Sequence, residues 1–325
     1  MKKLDLIPCT APLWARSGHA QTLWAHFLKS PELSDWGSSF EVDLLDGDRL
    51  SCFYLPGTSP FVVSLYHGLS GDVRADYMQR TALLCQKLGH TVVLVNHRGA
   101  GANAPFAQRP YHSGSAEDIS LVLRKLRELF PGKKQIAVGY SMSGNMLLCL
   151  LGGYGGTTKP DGAITVNAPI NLMGGSLLLK SGLNRLYDAR FVMRLRKVVA
   201  EKYQKGWIAE RYNIPVWSTI WDLDQIYTAP AAGFKDRADY YQSCSSLHYL
   251  HKVDRPTYVL TAHDDPFVSA EDYRSASFSK TTQVNIERHG GHLGYLSQQE
   301  TILGSRRWLD YYLYEALKAM ESALL

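Results

Sequence analysis

Gln135-Ile136-Ala137-Val138-Gly139-Tyr140-Ser141-Met142-Ser143-Gly144 decides the reading of this chain. The run Gln135–Gly139 is short and apolar, as in a strand covered on both faces. From Ser143 to Leu151 the pattern is helical. Between strand and helix stands a small-x-Ser-x-small turn, Gly139 to Ser143. A turn this tight tolerates only small residues two before and two after its serine. It lifts Ser141 Oγ above the sheet and aims a helix N-terminus at it, where the dipole favours an oxyanion. The plainer alternative is a serine-rich helix cap. The strand directly before it favours the tight turn. Ser143 is a second candidate nucleophile, but Ser141 and Asn145 at its own flanks give it poor geometry.

The same alternation extends outward. Phe61–Tyr66 and Thr91–Val95 read as buried strands, Ala75–Leu88 and Ser115–Leu129 as helices, and Gly162–Val166 as a further strand. Alternating strands and helices predict a mostly parallel sheet with helices on both faces. Phe40–Leu45 and Leu50–Tyr54, joined by Asp46-Gly47-Asp48, predict an antiparallel hairpin. The alternation stops at about Pro169. It resumes near Pro256 with strands Thr257–Leu260 and Gln283–Ile286 and a last helix from about Glu300 to Leu317. The helix-like interval of about 169–250, rich in Leu, Tyr, Trp and Arg, reads as a cap inserted over the C-terminal strand ends, where open α/β sheets place their sites. A leader of about 1–38 precedes the hairpin, with a short amphipathic helix near His19–Trp24. A single domain over 1–325 accommodates all of this.

A serine hydroxyl needs a base, and the base an orienting acid, in the chain order Ser, Asp or Glu, His. After Thr257–Leu260 come Asp264 and Asp265; either suits the acid, and Asp265, next to Pro266, is favoured. The alternative is that both only cap the helix starting near Ser269. After Gln283–Ile286 come His289 and then Gly290-Gly291-His292. Two glycines predict a flexible loop that reaches back over the sheet, making His292 the favoured base and His289 its competitor. The other nine histidines read as surface or structural, with His67 supporting its loop. Two backbone N–H groups must hold the oxyanion: Met142, after the nucleophile, and Leu69, in the loop after Tyr66.

Taken together, these segments resemble the YheT-like branch of the α/β-hydrolases. His19-Ala20-Gln21-Thr22, Tyr66-His67-Gly68-Leu69-Ser70-Gly71, Asn96-His97-Arg98-Gly99, His112-Ser113-Gly114 with Glu117-Asp118, the elbow, Asp264-Asp265-Pro266 and Gly290-Gly291-His292 are all similar to that group's motifs. Thr228–Phe234 and Asp239-Tyr240-Tyr241 match the segment after its cap. The resemblance implies an α/β-hydrolase fold, a Ser-Asp-His triad and carboxylic ester hydrolysis of the esterase or acylglycerol-lipase type. Two positions depart from the pattern. Ser143 replaces the usual glycine, predicting a slightly altered elbow and lower activity. Ala100 replaces a frequent cysteine.

The bulk composition is compatible. With 45% hydrophobic and 20% charged residues over 325 positions, a sizeable core is available. A net charge of +5 that is mostly dispersed argues against a nucleic-acid partner. Five scattered cysteines without a CxxC pair argue against disulfides or zinc and for a reducing, cytoplasmic setting. No signal peptide or membrane-spanning run is read, and no metal or organic cofactor is implied. One basic cluster stands out: nine basic against three acidic residues between Lys180 and Arg211, interleaved with apolar residues. It reads as a solvated helix face or as an amphipathic cap making peripheral contact with anionic lipid. The expected substrate is a small-molecule ester. The rivals are an alcohol acyltransferase with the same triad and a non-catalytic binding protein of the same fold.

Overall fold

The computed structural model describes residues 2–28, 30–101 and 107–325. Eight strands form one sheet: β1 (Ser38–Asp43), β2 (Arg49–Leu55), β3 (Phe61–Tyr66), β4 (Thr91–Val95), β5 (Lys134–Tyr140), β6 (Gly162–Val166), β7 (Thr257–Ala262) and β8 (Thr282–Glu287), in spatial order β1-β2-β4-β3-β5-β6-β7-β8. β1 and β2 form the antiparallel hairpin, and β2 meets β4 antiparallel. From β4 to β8 every pairing is parallel.

Residue alternation explains why the central strands are apolar throughout. Val63, Leu65, Val92, Leu94, Ile136 and Val138 face one layer, built from α2 (Asp76–Lys87) and α11 (Trp308–Leu324). Their neighbours Val62, Val93, Val95 and Ala137 face the other, built from α3 (Ala116–Leu129) and α4 (Met142–Leu151). Successive side chains on a strand point to opposite faces, and here both faces are covered. Trp308 is fully buried between Tyr295 and Tyr312, and its indole N–H donates to the Ile7 carbonyl at 2.7 Å.

The last helix starts later than its sequence pattern predicts. Gly304 takes a left-handed φ of +67°, and Leu296 pairs with Arg307 as an isolated bridge, so the chain becomes helical only at Trp308.

Between β6 and β7 lie α5 (Leu172–Leu179), α6 (Asn184–Gln204), α7 (Ile220–Leu223), α8 (Ala229–Ala232) and α9 (Arg237–Cys244), and between β7 and β8 lies α10 (Ala270–Ser275). The stretch from α5 to α9 carries a small core of its own around Val192, Val199, Ile214, Leu223 and Tyr227. Two hydrogen bonds tie α6 to the sheet layers: Asn184 Nδ2 donates to the Pro266 carbonyl at 2.6 Å, and Lys202 Nζ to that of Arg109 at 3.0 Å. Earlier in the chain, α1 (Gly18–Phe27) is capped by Ser17, whose hydroxyl accepts the Ala20 N–H.

Arg98 locks the turn after β4. Its Nε and Nη2 grip both oxygens of Asp118 at 2.7 and 2.8 Å, while Nη1 reaches Asp46 at 2.6 Å and Asp48 at 2.8 Å. Asp118 and Asp48 are almost wholly buried. Burial pushes the Asp118 carboxyl up, against the lowering effect of Arg98. Replacing Arg98 with Met takes the paired cation from two buried carboxylates, of which Asp48 keeps, among the described residues, only the Gln108 and Arg109 N–H groups. The expected loss is about 3–5 kcal/mol of unfolding free energy, read by urea denaturation; an unchanged midpoint would contradict this account.

Candidate active site

A single residue makes the turn from β5 to α4. Ser141 sits at φ 52°, ψ −120°, a conformation that costs a non-glycine residue about 1–3 kcal/mol. The surroundings impose it. A Cβ at Gly139 would lie 2.6 Å from the Ser143 carbonyl oxygen, and one at Gly144 would lie 2.8 Å from Ala168 Cβ. Position 143 does accept a side chain. Ser143 is fully buried; its hydroxyl donates to the His67 carbonyl and accepts from His97 Nε2 at 2.6 Å. It joins the elbow to the loop after β3 and lines neither cavity at the site.

Two strand ends bring the partners to Ser141. His292 Nε2 lies 2.9 Å from Ser141 Oγ, and His292 Nδ1 lies 2.9 Å from Asp265 Oδ2. The Asp265 side chain has no exposed surface. Its Oδ1 accepts the Phe267 and Val268 N–H groups at 2.8 and 3.2 Å, and its Oδ2 also accepts from Asn167 Nδ2 at 2.6 Å. The neighbouring Asp264 turns elsewhere. It accepts the Gly291 N–H at 2.9 Å and stands 3.5 Å from His289 Nδ1. Ser141, Asp265 and His292 are thus brought together, while Ser143, Asp264 and His289 are not part of that line.

The His292 loop is clamped by α1. The His292 N–H donates to Thr22 Oγ1 at 2.9 Å. Gln21 is fully buried; it accepts the Leu296 N–H at 2.6 Å and donates to the Leu296 and Ala15 carbonyls at 3.1 and 2.8 Å. A Cβ at Gly291 (φ +53°) would lie 2.4 Å from the Gly18 carbonyl oxygen, and one at Gly294 would lie 2.3 Å from that of Gln21. The glycines are therefore set by close packing, where their sequence suggests only reach. Gln21, Thr22 and Asn167 escaped the sequence reading of the site; the H-A-Q-T match was its only trace of the first two.

The loop after β3 completes the surroundings. A Cβ at Gly68 would lie 3.1 Å from Ser141 Cβ. The Gly68 and Ser70 N–H groups donate to Tyr77 and Tyr111 hydroxyls at 3.0 and 2.9 Å. The Leu69 N–H between them, and that of Met142, donate to no other described group. Two cavities meet at Ser141 and His292. One is an open cleft of about 390 Å³ with α1 residues Thr22 and Leu23 and α6 residues Arg190 and Arg194 in its walls. The other, about 140 Å³, is lined by Met142, Leu172, Leu179, Leu195, Ile220 and Leu223 among others. Leu69, Phe191 and Phe267 line both. Among the described residues no cluster of three His, Cys, Asp or Glu side chains is placed to hold a metal ion.

Comparison with known proteins identifies the family of this fold. The profile of the alpha/beta hydrolase fold matches residues 62–298. YheT of Escherichia coli (strain K12), whose name proposes an esterase, is 32% identical over 254 residues, covering 76% of this chain and 73% of that one. Phospholipase ABHD3 of Homo sapiens is 25% identical over 297 residues, covering 87% and 72%. Among solved structures, the Pyrococcus furiosus esterase Pf2001 superposes with a TM-score of 0.57 at 15% identity, over 90% of this chain and 97% of that one, a likeness of fold. The chain belongs to the α/β-hydrolase family, and within it to the YheT-like group.

Two buried histidines, His67 and His97, and the partly buried His112 give the site's scaffold a pH dependence. Burial holds His67 down at about 4 and His112 at about 3, and pushes His97 well below its ordinary value, with His67 beside it adding to the effect. Unfolded, each titrates near 6.5. Between about pH 6.5 and 4 the unfolded chain binds protons that the folded one refuses, so stability rises with pH across that window and falls on acidification. The slope is up to about 1.4 kcal/mol per pH unit for each histidine. Thermal denaturation at pH 7 and pH 5 checks it: the midpoint should drop at pH 5.

Proposed function

We propose that this carboxylic ester hydrolase works through Ser141 as nucleophile, His292 as general base and Asp265 as the acid that orients it. The observation carrying the reading is the hydrogen-bonded line Ser141–His292–Asp265, 2.9 Å at each step, at the junction of two cavities. Asp265 fixes the proton of His292 on Nδ1, leaving Nε2 to accept the serine proton. Ser141 Oγ attacks the ester carbonyl carbon, and the oxyanion takes the Leu69 and Met142 N–H groups. His292 hands its proton to the departing alcohol. Water, deprotonated by the same nitrogen, then releases the acid and restores Ser141.

In this reading the 140 Å³ pocket holds the acyl chain, because aliphatic and aromatic side chains together make up most of its walls. Helices α5 to α9 act as a cap over one domain spanning 1–325. An acylglycerol or other lipid ester is the substrate type that fits, in line with relatives named for phospholipase and monoacylglycerol lipase activity. No helix among the described residues is long and apolar enough to cross a membrane. Peripheral contact with lipid is supported by Trp14, Trp24 and Phe27, exposed and in ring contact on and just before α1, a helix whose His19 stacks on Tyr187 of the basic α6. Five buried, unpaired cysteines suit a cytoplasmic setting.

A fluorophosphonate probe tests the triad. Labelling should be lost in Ser141→Ala and kept in Ser143→Ala, and Asp265→Asn should lower kcat by about 10³–10⁴-fold with folding intact. Folded wild-type protein that neither takes the label nor cleaves esters would remove the reading and favour a binding protein. Ethanol added to the assay separates transfer from hydrolysis, which should leave free acid as the main product.

For the lipid contact, cosedimentation with anionic vesicles should fall several-fold in a Trp14→Ser, Trp24→Ser, Phe27→Ser variant. Equal binding by this variant and wild type would exclude the aromatic cluster as the contact.

A further inference from the structure

We infer that the alcohol half of the substrate carries an anionic group, a phosphate or a carboxylate, seated against Arg190 and Arg194 of α6 and Arg74 of the loop before α2. The inference rests on the proposed roles of Ser141 and His292. With the acyl chain in the narrow apolar pocket and its carbonyl at Ser141, the alcohol must lie in the open cleft. All three arginines line that cleft.

The carboxylates of the cleft are engaged elsewhere. Arg80 is committed to Asp76 at 2.9 Å and to Asp310, and Arg307 stands 3.4 Å from Asp76. Asp72, the other carboxylate in the walls, accepts the Arg74 backbone N–H at 2.7 Å. Among the described residues, Arg74, Arg190 and Arg194 form no ion pair and no side-chain hydrogen bond. Of the other basic residues of α6, Arg196 is engaged with the Ile214 carbonyl, Lys202 with that of Arg109 and Lys197 with Glu201, while Arg185 lies outside the cleft walls.

Arg190 and Arg194 are four residues apart on one face of α6, so their like charges repel across one helical turn. An anion between them removes that repulsion. The planar guanidinium fork matches carboxylate and phosphate oxygens. A neutral alcohol offers these three charges hydroxyl acceptors but no counter-charge, whereas an anionic one adds charge-assisted hydrogen bonds.

The test compares three soluble hexanoyl esters, of glycerol, of glycerol 3-phosphate and of glycerate. All are short enough to act as monomers, so attraction to a bilayer plays no part. Wild-type kcat/KM should favour an anionic ester by about tenfold at low salt, the preference shrinking as salt is added. The anion preferred identifies the group. In Arg190→Gln/Arg194→Gln the anionic-to-neutral ratio should fall towards one; a ratio taken within one protein is insensitive to its active fraction. A wild-type ratio of one or below overturns the inference while leaving ester hydrolysis intact, as does a high ratio unchanged in the double variant. Loss of hydrolysis of all three esters together with loss of the Ser141 label overturns the site reading and this inference with it.

Discussion

The left-handed backbone at Ser141 is the constraint around which the site is built, because one residue there turns a buried strand into a buried helix. Such a conformation persists only where the surroundings over-determine it. β5 is paired on both sides, to β3 and to β6, and the Ser141 N–H itself donates to Val166 at 2.8 Å. Every residue of α4 is buried. The strain is small against packing on this scale, and the turn cannot relax without disturbing two layers. Ser143 adds a side-chain tie to the His67 loop, so the residue that departs from the usual glycine pattern is itself a fastening of the elbow.

His292 is held by a different logic. Its loop takes contacts from α1, from Asn167 after β6 and from Asp264 after β7. Asn167 links the Asp265 and His292 loops, donating to Asp265 at 2.6 Å and to the Gly291 carbonyl at 3.2 Å, and accepting the Leu293 N–H at 3.4 Å. Orientation of a base by neighbours that cannot themselves move is what keeps reacting atoms in register. The leader is therefore a structural part of the site, although none of its side chains belongs to the triad.

What was legible in the sequence was local. The parallel strands announce themselves because both faces are covered and every residue is apolar. The elbow announces itself because five adjacent residues carry its sterics. Partnerships across the chain leave no such mark. Thr22 and His292 are 270 residues apart. Asp264 and Asp265 are indistinguishable by composition, and a one-residue offset sends one carboxylate to the histidine ring and the other to the loop backbone. The start of α11 lies beyond where its apolar pattern begins, because the pattern cannot register that Arg307 pairs with Leu296 before the helix. The helices between β6 and β7 blur in sequence because their apolar residues serve two masters, their own small core and the pocket wall.

That double duty couples the roof to the acid. Asn184, at the start of α6, donates to the carbonyl of Pro266, the residue between Asp265 and the two N–H groups that Asp265 accepts. Phe267, the first of those two, packs its ring against His292 at 4.7 Å and against Tyr187 of α6 at 4.8 Å. A shift of the N-terminal half of α6 would thus reach the Asp265 loop through one hydrogen bond and the imidazole through one aromatic contact. At its other end α6 is pinned by Lys202, so the helix bearing Arg190, Phe191, Arg194 and Leu195 is fixed at both ends. The widths of the cleft and of the apolar pocket then follow from the same two anchors. Any residue change that loosens either anchor alters both substrate compartments together, because one rigid helix walls both.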